Sequence, residues 1–74
     1  MQVTITRTGA LTGGRAPYDE TVTLPEGARA GDLLDRCRID PRTCVVVING
    51  AAVTRGAPLS DGDHVRLYPV QAGG

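Results

Sequence analysis

The chain has 74 residues, a formal net charge of zero, and eight arginines but no lysine. A chain of this length buries only about 60% of the surface that its unfolded form exposes, so it has little core to spare for a catalytic cleft. The balanced charge disfavours binding to a phosphate backbone. Two tyrosines are the only aromatic residues, which disfavours stacking on bases. We therefore expect one small domain that is not an enzyme and acts with partner proteins.

Two strands joined by a loop are predicted in the first third of the chain. The first strand spans residues 2–7, where apolar residues alternate with threonines. The second spans residues 18–24, with Val22 and Leu24 directed inward. The glycine-rich residues 8–17 between them predict a flexible hairpin loop. The glycine pair of this loop precedes a strand instead of a helix, so we do not expect it to bind phosphate.

A short amphipathic helix follows in the stretch ARAGDLLDRCRI. We expect it to end near Arg38, because Pro41 prevents it from running on. Asp32 and Arg36 are four residues apart on its outer side and predict an ion pair. Its apolar positions recur at helical spacing and should face the core: Ala30, Leu33, Leu34 and Cys37.

Three strands are predicted in the second half of the chain. Asn49-Gly50 lies between two β-rich runs and is typical of a two-residue type I′ turn, which makes the third and fourth strands antiparallel neighbours. Turn residues follow, and residues 64–69 form the last strand. The order β-β-α-β-β-β indicates an α+β protein with a β-grasp (ubiquitin-like) fold over residues 1–70: a mixed sheet of about five strands with one helix across one face. The first and last strands should lie side by side and parallel, so that a flexible tail, residues 71–74, leads away from the sheet.

Strand alternation predicts which side chains lie on the open face of this sheet. A two-residue turn pairs Val47 with Ala52, which places both on the face away from the helix together with Arg66 and Tyr68. The aromatic and arginine content of this face is typical of interfaces. We predict a partner-binding surface there that comprises Val47, Arg66, Tyr68 and Val70. The opposite set should lie under the helix: Val46, Ile48, Ala51, Val53, Val65 and Leu67.

Few residues of the chain could carry chemistry of their own. His64 is the only histidine, and we expect it to be exposed at the start of a strand. Cys37 and Cys44 lack metal or redox spacing and are interpreted as buried, reduced thiols. Asp61-Gly62-Asp63 is interpreted as a turn instead of a calcium loop, and no metal site is expected. The apolar runs are too short to span a membrane, so the cytoplasm is the expected location.

The final residues, Gly73 and Gly74, offer a carboxylate that another enzyme could activate. An α-carboxyl group has a pKa of about 3.3–3.7, so it is ionised in the cell and inert towards nucleophiles. A mixed anhydride with AMP would give it a good leaving group, after which a sulfur or amine nucleophile could attack. Residues without Cβ pass through a narrow channel and adopt unusual backbone angles, which suits this position. The ATP site must then belong to a partner, and we expect no cofactor bound to this chain.

The strand order, the LSDGD turn and the ending YPVQAGG together resemble the ThiS/MoaD sulfur carriers of thiamin and molybdopterin biosynthesis, over essentially the whole chain. The resemblance implies that an E1-like enzyme adenylates Gly74 with ATP. It further implies that sulfur from a cysteine desulfurase or sulfurtransferase replaces the AMP, and that the resulting thiocarboxylate supplies a sulfur-accepting synthase. The residues that would enter the partner's active site are Gln71, Ala72, Gly73 and Gly74.

Two features of the chain depart from either subfamily. The loop over residues 8–17 is longer than the tight first hairpin usual in thiamin-type carriers, and the chain is short for a molybdopterin-type carrier. The sulfur acceptor therefore stays open among thiamin thiazole, molybdopterin, cysteine, tRNA and a natural product. Two other functions compete: a ubiquitin-like modifier joined through Gly74 to target lysines, and a β-grasp interaction domain whose terminal glycines are incidental.

Overall fold

The computed structural model describes residues 1–14 and 16–70. Five strands and one α-helix follow the predicted order, and two short 3-10 helices, η1 and η2, lie between them. The elements are β1 (Gln2–Arg7), η1 (Gly9–Thr12), β2 (Tyr18–Thr23), α1 (Ala30–Arg36), η2 (Pro41–Thr43), β3 (Cys44–Ile48), β4 (Ala51–Val53) and β5 (His64–Pro69). The predicted tail, residues 71–74, lies outside the described residues.

The five strands form one mixed sheet in the order β2-β1-β5-β3-β4. Only β1 and β5 run parallel, with Thr4 opposite His64 and Arg7 opposite Leu67, and the other neighbours are antiparallel. The predicted fold class and the parallel pairing of the first and last strands are confirmed. Because these two strands run side by side in the same direction, β5 ends beside the loop that follows β1.

The core lies between α1 and one face of this sheet. Each large aliphatic side chain that is removed from water contributes about 1.5–3 kcal/mol to folding. The two central strands and the helix supply the largest fully buried side chains: Val3, Ile5, Leu33, Leu34, Val65 and Leu67. This small core uses one side of the sheet and leaves the other side as a surface.

The helix begins at Ala30 and its first turn is capped by Asp32, whose Oδ2 accepts the backbone N–H of Arg29 at 2.7 Å. The predicted pair between Asp32 and Arg36 is therefore wrong, and no ion pair joins these two residues. A carboxylate at this position satisfies a free N–H group and lies at the positive end of the helix dipole, which is worth more than an exposed ion pair.

The helix ends at Arg36, two residues before the predicted end. Arg38 adopts the left-handed conformation (φ 57°), and its N–H donates to the carbonyl of Asp35 at 3.1 Å. The N–H of Ile39 donates to the carbonyl of Leu34 at 2.9 Å. These two bonds form a Schellman motif, which closes the helix before Pro41 is reached.

The turn at Asn49-Gly50 has positive φ at both residues, 50° and 88°, as a type I′ turn requires. The predicted pairs Val47 with Ala52 and Ile48 with Ala51 are confirmed. The expected burial of Ala51 is wrong, because β4 is the outermost strand and Ala51 is exposed. At the other edge, β2 ends one residue early, although Leu24 is buried as expected.

Candidate functional site

The face of the sheet opposite α1 carries the predicted binding residues. Val47 pairs with Arg66, and Val45 pairs with Tyr68, across the antiparallel neighbours β3 and β5. Paired residues share a face, so these four side chains lie together on the side away from the helix. We call this set, Val45, Val47, Arg66 and Tyr68, the open-face patch.

The exposure within the open-face patch differs from the prediction at one position. Val47 is half-buried, whereas Val45 and Tyr68 expose 41% and 38% of their surface. Sequence reasoning missed Val45, although it has the same strand parity as Val47. Val70 follows the end of β5, is 45% exposed, and donates its N–H to the carbonyl of Thr43 at 2.9 Å. Exposed apolar side chains therefore line the route from β3 to the last described residue.

A surface depression lies beside the patch, at the end of the sheet where the type I′ turn meets the start of β5. Asn49 lies at the rim of this depression and joins the turn to β5, because its side chain donates to Oδ1 of Asp63 at 3.2 Å and accepts the N–H of His64 at 3.3 Å. The lining residues are Val47, Asn49, Gly50, His64, Arg66 and Tyr68.

His64 is half-buried on this face, so the prediction of an exposed histidine is wrong. Its Nε2 lies 2.7 Å from Oγ1 of Thr6, and the Thr6 hydroxyl donates to Oδ1 of Asp19. Because a carboxylate only accepts, the Thr6 hydroxyl donates its hydrogen bond to Asp19, and its oxygen can accept a hydrogen bond from the Nε2–H tautomer of His64. Thr6 is directed to the open face, yet it is buried, and its hydroxyl is hydrogen-bonded to the side chains of Asp19 and His64.

The charge of Arg66 is not neutralised within the part of the chain that the structure describes. The ion pairs there join Arg7 to Glu20 at 2.9 Å, Arg42 to Asp40 at 3.0 Å, and the N-terminal amine to Glu26 at 3.9 Å. Arg66 is exposed on the open-face patch, where it can meet an acidic or hydrogen-bonding group of another protein.

The two cysteines are poor nucleophiles. Cys44 is buried as predicted, whereas the predicted burial of Cys37 is wrong, because this side chain is half-buried. Burial raises the pKa of both thiols, and the nearby charge of Arg7 offsets this only partly at Cys37. Thiolate is the reactive form, so both side chains stay protonated and unreactive at neutral pH.

The acidic turn before β5 uses its carboxylates within the fold. Asp61 accepts the N–H of Gln2 at 2.7 Å, Asp63 accepts the N–H of Ser60 at 2.8 Å, and Gly62 adopts a positive φ of 84°. These contacts identify the segment as a turn. Among residues 1–14 and 16–70, no three acidic, cysteine or histidine side chains are grouped to hold a metal ion. No helix in the same residues is long and apolar enough to cross a membrane.

The predicted reactive residues, Gln71, Ala72, Gly73 and Gly74, lie outside the described residues. What the structure describes is the surface that leads to them. The open-face patch ends at Tyr68, and Val70 is the last residue described.

Comparison with solved structures finds the same fold in other small proteins. SAMP1 from Haloferax volcanii superposes with a TM-score of 0.78 at 21% identity, over all of both chains. A second structure, small archaeal modifier protein 1 from H. volcanii, superposes with a TM-score of 0.74 at 21% identity, over 95% of this chain and 98% of that one. A putative molybdopterin converting factor, subunit 1, from Pyrococcus furiosus superposes with a TM-score of 0.77 at 25% identity, over 96% of this chain and 99% of that one.

Another structure is a protein–protein complex of subunits 1 and 2 of molybdopterin-converting factor from Helicobacter pylori. One chain of that structure superposes with a TM-score of 0.67 at 18% identity, over all of this chain and all of that one. No curated protein sequence matches this chain significantly. These likenesses confirm the β-grasp fold. The sequence model of the ThiS family matches residues 9–74, which is most of the chain. The protein therefore belongs to the ThiS family.

Proposed function

We propose that this protein is a sulfur carrier whose Gly74 carboxylate is adenylated by an E1-like enzyme and converted to a thiocarboxylate. The observation that carries this proposal is the course of β5 in a chain of the ThiS family. This strand presents Arg66 and Tyr68 on the open face and leads within five residues to Gly73-Gly74. One surface can therefore dock on a partner while the adjoining segment enters its active site.

The chemistry takes place in three steps at the carbonyl of Gly74. The ionised carboxylate attacks the α-phosphorus of ATP, and pyrophosphate leaves, which gives an acyl adenylate. The terminal sulfur of a persulfide on a cysteine desulfurase or sulfurtransferase then attacks the carbonyl carbon, the bond to the AMP oxygen breaks, and AMP leaves, which gives an acyl disulfide. A thiol of a partner protein attacks the sulfur of the donor cysteine, which breaks the S–S bond, forms a disulfide in the partner, and releases the thiocarboxylate for a sulfur-accepting synthase.

The ATP site and the sulfur donor belong to partner proteins in this proposal. The chain has no lysine and no phosphate-binding loop before a helix, and the thiols of Cys37 and Cys44 are held in the protonated form. The protein is a substrate of these partners instead of a catalyst. Because the chemistry consumes ATP, we place it in the cytoplasm.

We assign docking of the E1-like enzyme to the open-face patch. Tyr68 and Val45 offer apolar contact area, and Arg66, which has no ion-pair partner among the described residues, offers a charge at the same surface. Aromatic and arginine side chains are enriched among residues that dominate binding energy. Val70 begins the segment that would continue into the enzyme.

A second function is supported by one likeness. Haloferax volcanii small archaeal modifier protein 1 aligns over 95% of this chain, and its name describes a modifier. In a modifier the same acyl adenylate forms first. A lysine amine of a target protein, instead of sulfur, then becomes bonded to the Gly74 carbonyl.

Adenylation by the host's E1-like enzyme tests the shared first step. The chain ending at Gly74 should release pyrophosphate from ATP in the presence of that enzyme. A variant with one alanine added after Gly74 should not, because the reactive carbonyl is displaced while the folded domain is unchanged. Thermal unfolding of both proteins provides the control. Equal pyrophosphate release by the extended chain would contradict the proposal.

A further inference from the structure

The loop between β1 and β2 is folded onto the end of β5. Its residues Gly9–Thr12 form η1, and Thr8 donates both its N–H and its hydroxyl to the carbonyl of Leu67, at 3.1 Å and 2.9 Å. Thr12 is buried, and its hydroxyl donates to the carbonyl of Gly9 at 2.9 Å. The expected flexible hairpin loop is thus, over these residues, a structured turn attached to the strand that leads to the C-terminus.

Gly9 lies against the ring of Pro69, too close for a side chain to fit unless one of the two residues shifts. A Cβ placed on Gly9 would lie 2.8 Å from Cγ and 3.2 Å from Cδ of Pro69, and no other atom of the described residues outside its chain neighbours would lie within 4 Å. Gly9 also has a positive φ of 56°. Gly13, in the same loop, has a positive φ of 69°, but a Cβ added there would meet no atom of the described residues within 4 Å. The two glycines therefore share a backbone conformation and differ in the contact.

The other side of this segment is held by β3. Pro69 pairs with Cys44, and the N–H of Val70 donates to the carbonyl of Thr43 at 2.9 Å. Thr43 is itself held by η2, because its N–H and hydroxyl both donate to the carbonyl of Asp40, at 2.9 Å and 2.7 Å. The proline ring also restricts its own φ to about −65°. The chain is thus held from two sides where it leaves the sheet.

We propose that the contact between Gly9 and Pro69 is a positioning device that fixes the direction in which the chain leaves the sheet at Pro69 and Val70. This inference rests on the proposed function. A reacting group must be held close to its ideal geometry, and a displacement of about 1 Å can lower a rate about 100-fold. Gly9 therefore acts through Pro69 on the efficiency with which the Gly74 carboxylate reaches the ATP of the activating enzyme, without contacting that enzyme's reacting atoms.

The test compares Gly9→Ala with Gly13→Ala in pyrophosphate release by the host's E1-like enzyme with ATP. Both variants place alanine in a left-handed conformation and so share the backbone strain. Only Gly9→Ala meets the proline ring. We expect Gly9→Ala to lower kcat about 10-fold or more, with KM within about twofold of the parent because the open-face patch is unchanged. Gly13→Ala should keep the parental kcat.

Pro69→Ala removes both atoms that the added Cβ would meet. In the Pro69→Ala background, adding Gly9→Ala should lower kcat no more than adding Gly13→Ala does. If Gly9→Ala acted through a general loss of stability, its effect on kcat would persist in this background. If Gly9→Ala alone does not fold, the Pro69→Ala protein tests the same contact, and its kcat should fall with KM unchanged. Equal kcat values for folded Gly9→Ala and Gly13→Ala, or an unchanged kcat for Pro69→Ala, would overturn the inference while leaving the proposed function intact. A parent chain that is not adenylated would contradict both.

Discussion

Nε2 of His64 lies 2.7 Å from Oγ1 of Thr6, across the parallel pair β1 and β5, and the Thr6 hydroxyl in turn donates a hydrogen bond to Asp19. These side chains join β2, β1 and β5 on the open face, although β5 is distant in sequence from the other two strands. The link lies beside the open-face patch, because His64 and Arg66 are two residues apart on β5. It therefore holds β5, the strand that carries Arg66 and Tyr68 of the patch.

Thr6→Val should lower the free energy of unfolding by about 1–2 kcal/mol, because valine keeps the shape of threonine but leaves Asp19 and His64 without their shared partner. Thr4→Val is the matched control. Thr4 lies on the same strand and face and makes no side-chain hydrogen bond in the described structure, so its replacement should change stability by less than about 0.5 kcal/mol. Urea unfolding of both variants measures the difference, and equal values would show that the link adds nothing.

Val45→Glu and Tyr68→Ala should each weaken binding to the E1-like enzyme by about 1–3 kcal/mol, with a smaller effect on stability. Both side chains are exposed on the open face, so the folded chain loses few contacts. Arg36→Ala, on the exposed surface of the helix behind the sheet, should bind like the parent. Calorimetric titration gives the affinities. Docking on this face would be refuted if all three variants bound equally well.

Arg38→Gly should raise the free energy of unfolding by about 0.5–1 kcal/mol. Arg38 occupies the left-handed position after the helix, where a side chain costs about 1–2 kcal/mol and glycine costs little, although glycine also loses more freedom on folding. Arg36→Gly, inside the last helical turn, should instead lower the free energy of unfolding by about 1 kcal/mol. Denaturant unfolding decides the signs, and a destabilised Arg38→Gly protein would refute this explanation of the helix end.

Stability should fall at high pH because of the buried thiols. Burial raises the pKa of Cys44 above its ordinary value of 9.0, so the folded state holds the proton more tightly than the unfolded chain does. The free energy of unfolding is then at its full value below pH 9.0 and falls as the pH rises through the folded-state pKa.

Urea unfolding under reducing conditions, from neutral pH to one unit above the ordinary thiol pKa of 9.0, measures the slope of the free energy of unfolding against pH. Cys44→Ala should flatten it. Val46→Ala removes core volume from the same strand but no titrating group, so it should keep the parental slope at lower stability. Parallel slopes for the parent and Cys44→Ala would rule out a contribution from this thiol.

The sequence predicts the features that depend on neighbouring residues. Asn49-Gly50 sets both the turn and the register of the pairs around it, because a two-residue turn leaves one choice of partners. Strand alternation places Val47, Arg66 and Tyr68 on one face for the same local reason. Val45 obeys the same rule, but its partner Tyr68 lies on β5 instead of β4, so the pairs around the turn do not include it.

The features that the sequence does not reveal depend on contacts between distant segments. Thr6 and His64 meet only through the register of β1 and β5, which no short motif encodes. Gly9 meets Pro69 from the opposite end of the chain, so its glycine looks like any loop glycine. At helical spacing, Asp32 can either accept the backbone N–H of Arg29 or pair with the side chain of Arg36, and no local pattern decides between these two contacts.

The most direct measurement of the carrier function is the intact mass of the protein purified from its native host, under conditions that preserve thioacids. We expect a species in which one oxygen is replaced by sulfur, located at Gly74 by fragmentation and lost on treatment with an alkylating reagent in favour of the alkylated thioester. A protein conjugate through Gly74, with no thiocarboxylate, would favour the modifier function. An unmodified carboxylate in cells that express the E1-like enzyme and the sulfurtransferase would contradict the carrier function.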